Sequence, residues 1–237
     1  MKKALSLLLF FSLFSIQAFS QACPVNRPDL FCLTAEMSLN KEIDQTIFYT
    51  IPARIISLFY PEMQKNNQVI QLDARWDSPY FGAGITRDEN IYSMMILAGT
   101  TRIKDFTQDA YAALVCHELG HVLGGYPKQS IPHAEWASSE GQSDYFAASV
   151  CLPRYFKAIG LGDDQISSKV EKAGFEMLHS FKAFNSGVDD GFGNEIIRYY
   201  EHTYKASSTL INQYPSLQCR YENFRDPKQR PSCWFKD

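Results

Sequence analysis

The apolar positions of this 237-residue chain fall into short runs whose period changes along the sequence. From Leu39 to Gln64, residues Ile43, Ile47, Phe48, Ile51, Ile55, Ile56 and Phe59 recur at helical spacing, with an interruption expected at Pro52. Val69 to Trp76, Tyr80 to Thr86 and Ile91 to Leu97 are β-rich runs separated by Asp77-Ser78-Pro79 and Asp88-Glu89-Asn90, which predicts three strands of a small sheet. Helical periodicity returns near Thr107, a capping residue with Asp109 favourable in the first turn, and stops at Gly124-Gly125.

A loop with Pro127 and Pro132 follows from Tyr126 to Ala137. A second helix opens at Ser138 or Ser139 and reaches at least Val150, before Pro153. Further helices are expected over Asp164 to Phe184 and about Asn194 to Asn212, and Tyr214 to Asp237 reads as an irregular or briefly helical tail. With no internal repeat and no flexible linker, the expected organisation is a single α+β domain over 21–237. Its first part, 21–106, holds a helix and a small N-terminal sheet, and 107–237 is a helical part with a cysteine-containing tail.

Composition removes several classes. Hydrophobic residues make up 45% of the chain, enough for a substantial core, which excludes a disordered or low-complexity polymer. A net charge of −3 with no long single-sign run argues against an electrostatic nucleic-acid binder. The only long apolar stretch is N-terminal. Lys2 and Lys3, the apolar run Ala4 to Phe14, and Ala18-Phe19-Ser20 before Gln21 read as a signal peptide over 1–20, so the protein is expected to be exported, periplasmic or secreted, without stable membrane insertion afterwards. Cys23 invites a lipoprotein reading, but Ser20 stands where a lipobox has Leu. Six cysteines, at 23, 32, 116, 151, 219 and 233, are then expected to be bridged, with Cys23 and Cys32 close enough in sequence for a local bridge.

The chemistry lies in His117-Glu118-Leu119-Gly120-His121, an H-E-x-x-H motif inside an apolar-periodic helix. Residues four apart share a helix face, so both imidazoles can reach one zinc ion while Glu118 can deprotonate a metal-bound water. A metzincin needs a third histidine where this chain has Pro127. Glu140 is the expected third ligand, and Asp144, one turn beyond it, is expected to accept a hydrogen bond from a zinc-bound histidine, most readily His117. His133 is the competing third ligand.

Taken together, His117 to His121, Glu140 and Asp144 resemble the site of gluzincin metallopeptidases, in particular the HtpX- and Ste24-like family. The run Asp77 to Arg102 resembles that family's strand-hairpin-edge-strand segment, and Tyr214-Pro215-Ser216-Leu217-Gln218-Cys219-Arg220 resembles its late H-P-x-x-x-x-R motif, with Tyr214 in place of His. The likeness spans about Ala53 to Arg220, strongest around the motif. It implies a zincin-like fold, one Zn2+ per chain and hydrolysis of peptide bonds. Tyr214, or alternatively His202, would be the oxyanion donor, with Arg220 orienting the site. Extended peptide or protein substrate would lie along Ile91–Leu97 as the edge strand. A catalytically idle zinc-binding scaffold and a non-peptidase zinc hydrolase are the competing functions.

The same picture constrains the disulfides. With the second helix antiparallel to the first, Cys151 lies about 16 Å along the axis from Glu140, so a Cys116–Cys151 bridge looks strained. Each of these cysteines is therefore expected to pair with Cys219 or Cys233.

Overall fold

The structure is a computed structural model, and it describes residues 32–185 and 205–237. The expected signal segment 1–20, Cys23 and His202 lie outside the described residues.

The first helix, α1 (Gln45–Leu58), is capped by Asp44, whose side chain accepts from the Ile47 N–H at 2.8 Å. It continues unbroken past Pro52, where an interruption was expected. A proline deprives the carbonyl four residues earlier of its helical donor. Here that carbonyl belongs to Phe48, and it accepts instead from the buried Tyr111 hydroxyl at 2.9 Å. A short α2 (Tyr60–Lys65) leads into strands β1 (Val69–Arg75), β2 (Ala83–Asp88) and β3 (Ile91–Leu97).

The sheet order is β1-β3-β2, with β3 parallel to β1 and antiparallel to β2. This overturns the expectation of Ile91–Leu97 as an edge strand: its backbone is paired on both sides, Met94 with Leu72 on one and Ile85 on the other. The pattern agrees with a central strand, since Tyr92, Met94 and Ile96 are buried and the alternate residues are half-buried.

Beyond a 3-10 turn at Ala98–Arg102 comes α3 (Gln108–Leu123), in which every residue from Ala110 to His121 is buried. A helix apolar all round belongs at the centre of a domain, and α3 packs against α1, β2, β3 and the helices that follow. Those it meets are α4 (Glu140–Phe146), α5 (Leu152–Ala158) and α6 (Asp163–Asn185), while α7 (Leu217–Arg225) packs on α4 and α6. Between α4 and α5 the chain makes a π-helical turn at Ala147–Cys151, and Pro153 falls in the first turn of α5, where its missing N–H costs nothing.

That wide turn corrects the disulfide expectation. Cys116 is bonded to Cys151, with Cα atoms 5.6 Å apart, and Cys219 to Cys233. The anticipated strain rested on the axial distance of Cys151 from Glu140, but the π turn that holds Cys151 packs directly on α3. Cys32 is also disulfide-bonded. A second correction concerns the tail. Residues 205–212, expected at the end of a helix, are irregular because their backbone bonds to the C-terminus: Ala206 N–H to Ser232 O at 2.9 Å and Leu210 N–H to Trp234 O at 2.8 Å.

Candidate metal centre

Three chain segments deliver the site. The first is α3, started by Thr107, whose hydroxyl accepts from the Ala110 N–H at 3.1 Å, and closed by Gly124 N–H bonding to Gly120 O at 2.7 Å. On its last two turns His117 and His121 present their rings on one side, with centroids 4.9 Å apart. The second is α4, whose first residue is Glu140. Close approach of the two helices depends on Gly120: a Cβ there would fall 2.7 Å from the Ser143 carbonyl oxygen.

Glu140 spans both imidazoles. Its Oε2 lies 3.2 Å from His117 Nε2 and its Oε1 3.7 Å from His121 Nε2. One ligand atom from each of the three residues can be chosen so that all lie within 4.8 Å of one another. All three are buried, as is Glu118.

The outer partners fix which ring nitrogen carries the proton. His117 Nδ1 is 2.8 Å from Asp144 Oδ1. The third segment, α7, supplies Arg220, which donates from Nε to Asp144 Oδ2 at 2.7 Å and from Nη2 to Oδ1 at 2.9 Å. Asp144, so held as a carboxylate, accepts the Nδ1 proton of His117. His121 Nδ1 is 2.9 Å from the Ser138 carbonyl oxygen, which can only accept, and 2.9 Å from Ser143 Oγ. Both rings therefore turn an Nε2 lone pair toward the Glu140 carboxylate.

Three acceptors converging in a buried place is a poor arrangement by itself, and Glu140 Oε2 has no hydrogen-bond partner. A cation between them resolves it. Two imidazole nitrogens and one carboxylate, each ring backed by an acceptor on its far nitrogen, make a donor set that can hold a metal ion.

Electrostatics agree with the geometry. Burial pushes Asp144 up, but Arg220 and His117 outweigh it and hold the carboxyl down at about 2. Glu140, also buried, is held down at about 2 by the His117 and His121 rings. Without metal a proton takes the cation's place on His117 Nε2: burial disfavours the imidazolium, yet Asp144 and then Glu140 prevail and raise the ring to about 10. Glu118 moves the other way, its pKa raised chiefly by burial.

The remaining anticipated residues divide. Arg220 orients the site through Asp144. Tyr214 is at the site as well: its phenol is pushed up first by the neighbouring Glu140 charge and then by burial, and its ring lies 5.7 Å from the Arg220 guanidinium. His133 is exposed, in a loop position with φ of 69°, and is not in the metal-capable group. Sequence reasoning missed Ser138 and Ser143 behind His121. The only signal for them was their position flanking Glu140, and a main-chain acceptor such as Ser138 O leaves no trace in residue type.

No family model, no curated protein and no solved structure matches this chain.

Proposed function

We propose that the protein is a zinc-dependent hydrolase of peptide bonds, built on a gluzincin-like site, that works in an oxidising, exported setting. The observation that carries the reading is the convergence of His117, His121 and Glu140 beside a buried carboxylate, Glu118, that has no hydrogen bond or ion pair among the described residues. A structural metal site has no use for such a group. His117, His121 and Glu140 would hold the ion, which when bound supplies Lewis acidity and a water of lowered pKa.

The chain's own residues account for the proton transfers. Glu118 takes a proton from the attacking water, and its raised pKa suits a base that must then hold that proton. It passes the proton to the leaving nitrogen. Tyr214, beside Glu140, would donate its hydroxyl to the developing oxyanion. Asp144 and Arg220 keep His117 in one tautomer and one orientation throughout.

Because β3 is paired on both sides, substrate backbone would add to the outer edge of β2, which has no strand partner there among the described residues and belongs to the sheet against which α3 packs. Export rests on the two fully described disulfides; among the described residues no helix is long and apolar enough to cross a membrane.

The test is metal content and peptide-library hydrolysis of the mature chain beside two variants. Glu140→Ala should lose the ion, whereas Glu118→Gln should keep it and lose hydrolysis by roughly 10²-fold or more. A Glu118→Gln protein that still cleaved at the wild-type rate would end the peptidase reading, and an intact ion without any hydrolysis would favour a zinc-binding scaffold.

A further inference from the structure

We infer that the metal centre is under thiol–disulfide control through Cys219–Cys233, whose reduction releases a C-terminal strap from the helix that carries Glu140. The inference rests on the metal site proposed above but not on its being a peptidase.

The strap is residues 226–237, and it touches both α4 and α7, the helices that carry Glu140 and Arg220. Trp234, fully buried, lies flat under α4: a Cβ built on Gly141 would come within 2.3 Å of its indole ring. The same indole donates from Nε1 to Asn223 Oδ1 at 3.1 Å, and Asn223 Nδ2 donates to the Arg220 carbonyl at 3.2 Å. Arg230 donates from Nε to Gln142 Oε1 at 2.7 Å, and Gln142 in turn donates to the Gly124 carbonyl at the end of α3. Thus the strap braces α4 at the two residues directly after Glu140, and α7 beside Arg220.

What holds the strap is Cys233, next to Trp234, bonded to Cys219, next to Arg220. The two disulfides differ in access. Cys116 and Cys151 are both fully buried, whereas Cys233 is partly exposed. A thiolate can attack only a sulfur it can reach, so a reductant meeting the folded protein opens Cys219–Cys233 before Cys116–Cys151. In that step a dithiol gives up two electrons and two protons, Cys219 and Cys233 become thiols, and the dithiol becomes a disulfide. Freed at that point, the tail loses the cross-link that keeps Trp234 under Gly141, and Glu140 and Arg220 lose their common brace.

The experiment measures zinc affinity by competition with a chromophoric chelator on the mature protein in three states. These are oxidised, treated with dithiothreitol and desalted under nitrogen, and reoxidised. Mass spectrometry should find thiols at Cys219 and Cys233 of the treated chain while Cys116 and Cys151 stay bonded. The treated protein should bind zinc at least tenfold more weakly with its far-ultraviolet circular dichroism unchanged, and reoxidation should restore the affinity. The double variant Cys219→Ala/Cys233→Ala should show the weak affinity without reductant, which excludes ligation by the freed thiols. Gly141→Ala, which displaces Trp234 with the disulfide intact, should weaken zinc as well.

Equal affinity in the oxidised and reduced states overturns the inference and leaves the hydrolase reading standing. Loss of zinc only together with loss of helical signal overturns it too, since the disulfide would then serve the whole fold. Coupled affinity in a protein that cleaves no peptide sustains the inference and ends the peptidase reading. A wild-type chain that binds no metal ends both.

Discussion

Asp144 and Arg220 form a two-point ion pair sealed inside the protein, with Nε–Oδ2 and Nη2–Oδ1 distances of 2.7 and 2.9 Å. The pair joins α4 to α7 across 76 positions of sequence and holds the carboxylate that aligns His117. Its worth lies in specificity more than in net stability, because desolvating both charges offsets much of their attraction. Removing one partner is a different matter.

Arg220→Ala would leave Asp144 charged and buried with only His117 opposite. The expected loss is about 3–5 kcal/mol of unfolding free energy, read from urea denaturation. Arg220→Lys should recover only part of it, since an ammonium cannot make both bonds at once. A loss under about 1 kcal/mol would show that water reaches Asp144 and that the relay to His117 is weaker than its distances indicate.

Acid should dismantle the same relay. Asp144 is held at about 2 in the fold, against about 3.9 in an unfolded chain. A depressed folded pKa contributes stability that is present above the unfolded value and is lost as pH falls through the folded one. For metal-free protein, the gap in urea midpoint between wild type and Asp144→Asn should therefore be widest above about pH 4 and close toward pH 2. A gap that stayed constant over that window would place the stabilisation somewhere other than the Asp144 charge.

Gly120→Ala tests the helix contact behind His121. The added methyl would meet Ser143 main chain, at 2.7 Å from its oxygen and 2.8 Å from its Cα, and neither atom can swing aside. Overpacking of this kind costs about 1–3 kcal/mol. It should also weaken metal binding, because Ser138 O and Ser143 Oγ steady His121 from the segment that is pushed away. Gly84→Ala is the control: a Cβ there meets nothing within 4 Å, and its effect should stay within about 0.5 kcal/mol in either direction.

The parts of this fold legible in the sequence were those written in local chemistry. Thr107 and Gly124 bound α3 because capping is a matter of one or two residues, and the spacing of His117, His121, Glu140 and Asp144 follows from the helical turn. What escaped was set by tertiary partners. The unbroken α1 needs Tyr111 to satisfy Phe48 O, 63 positions away. Strand order is not encoded in β3 alone, whose alternation of buried and half-buried residues suits an edge or a centre. The Cys116–Cys151 bond lies where a π turn, which Ala147–Cys151 does not announce by composition, packs on α3.

Tyr214 poses the sharpest question about the proposed reaction, because its phenol stands beside Glu140 of the metal-capable group yet the residue is 54% exposed. The hydroxyl there lies beside the Glu140 carboxylate, on a residue open to solvent. Tyr214→Phe removes the hydroxyl and keeps the ring that lies near Arg220. Metal content should be unchanged, since Phe leaves His117, His121 and Glu140 in place. If the hydroxyl donates to the oxyanion, kcat should fall by about 10²–10³ with KM little altered, the pattern of an interaction made only in the transition state. A matching fall in metal affinity would instead assign Tyr214 to holding Glu140, and an unchanged kcat would leave it as a packing residue on the rim of the site.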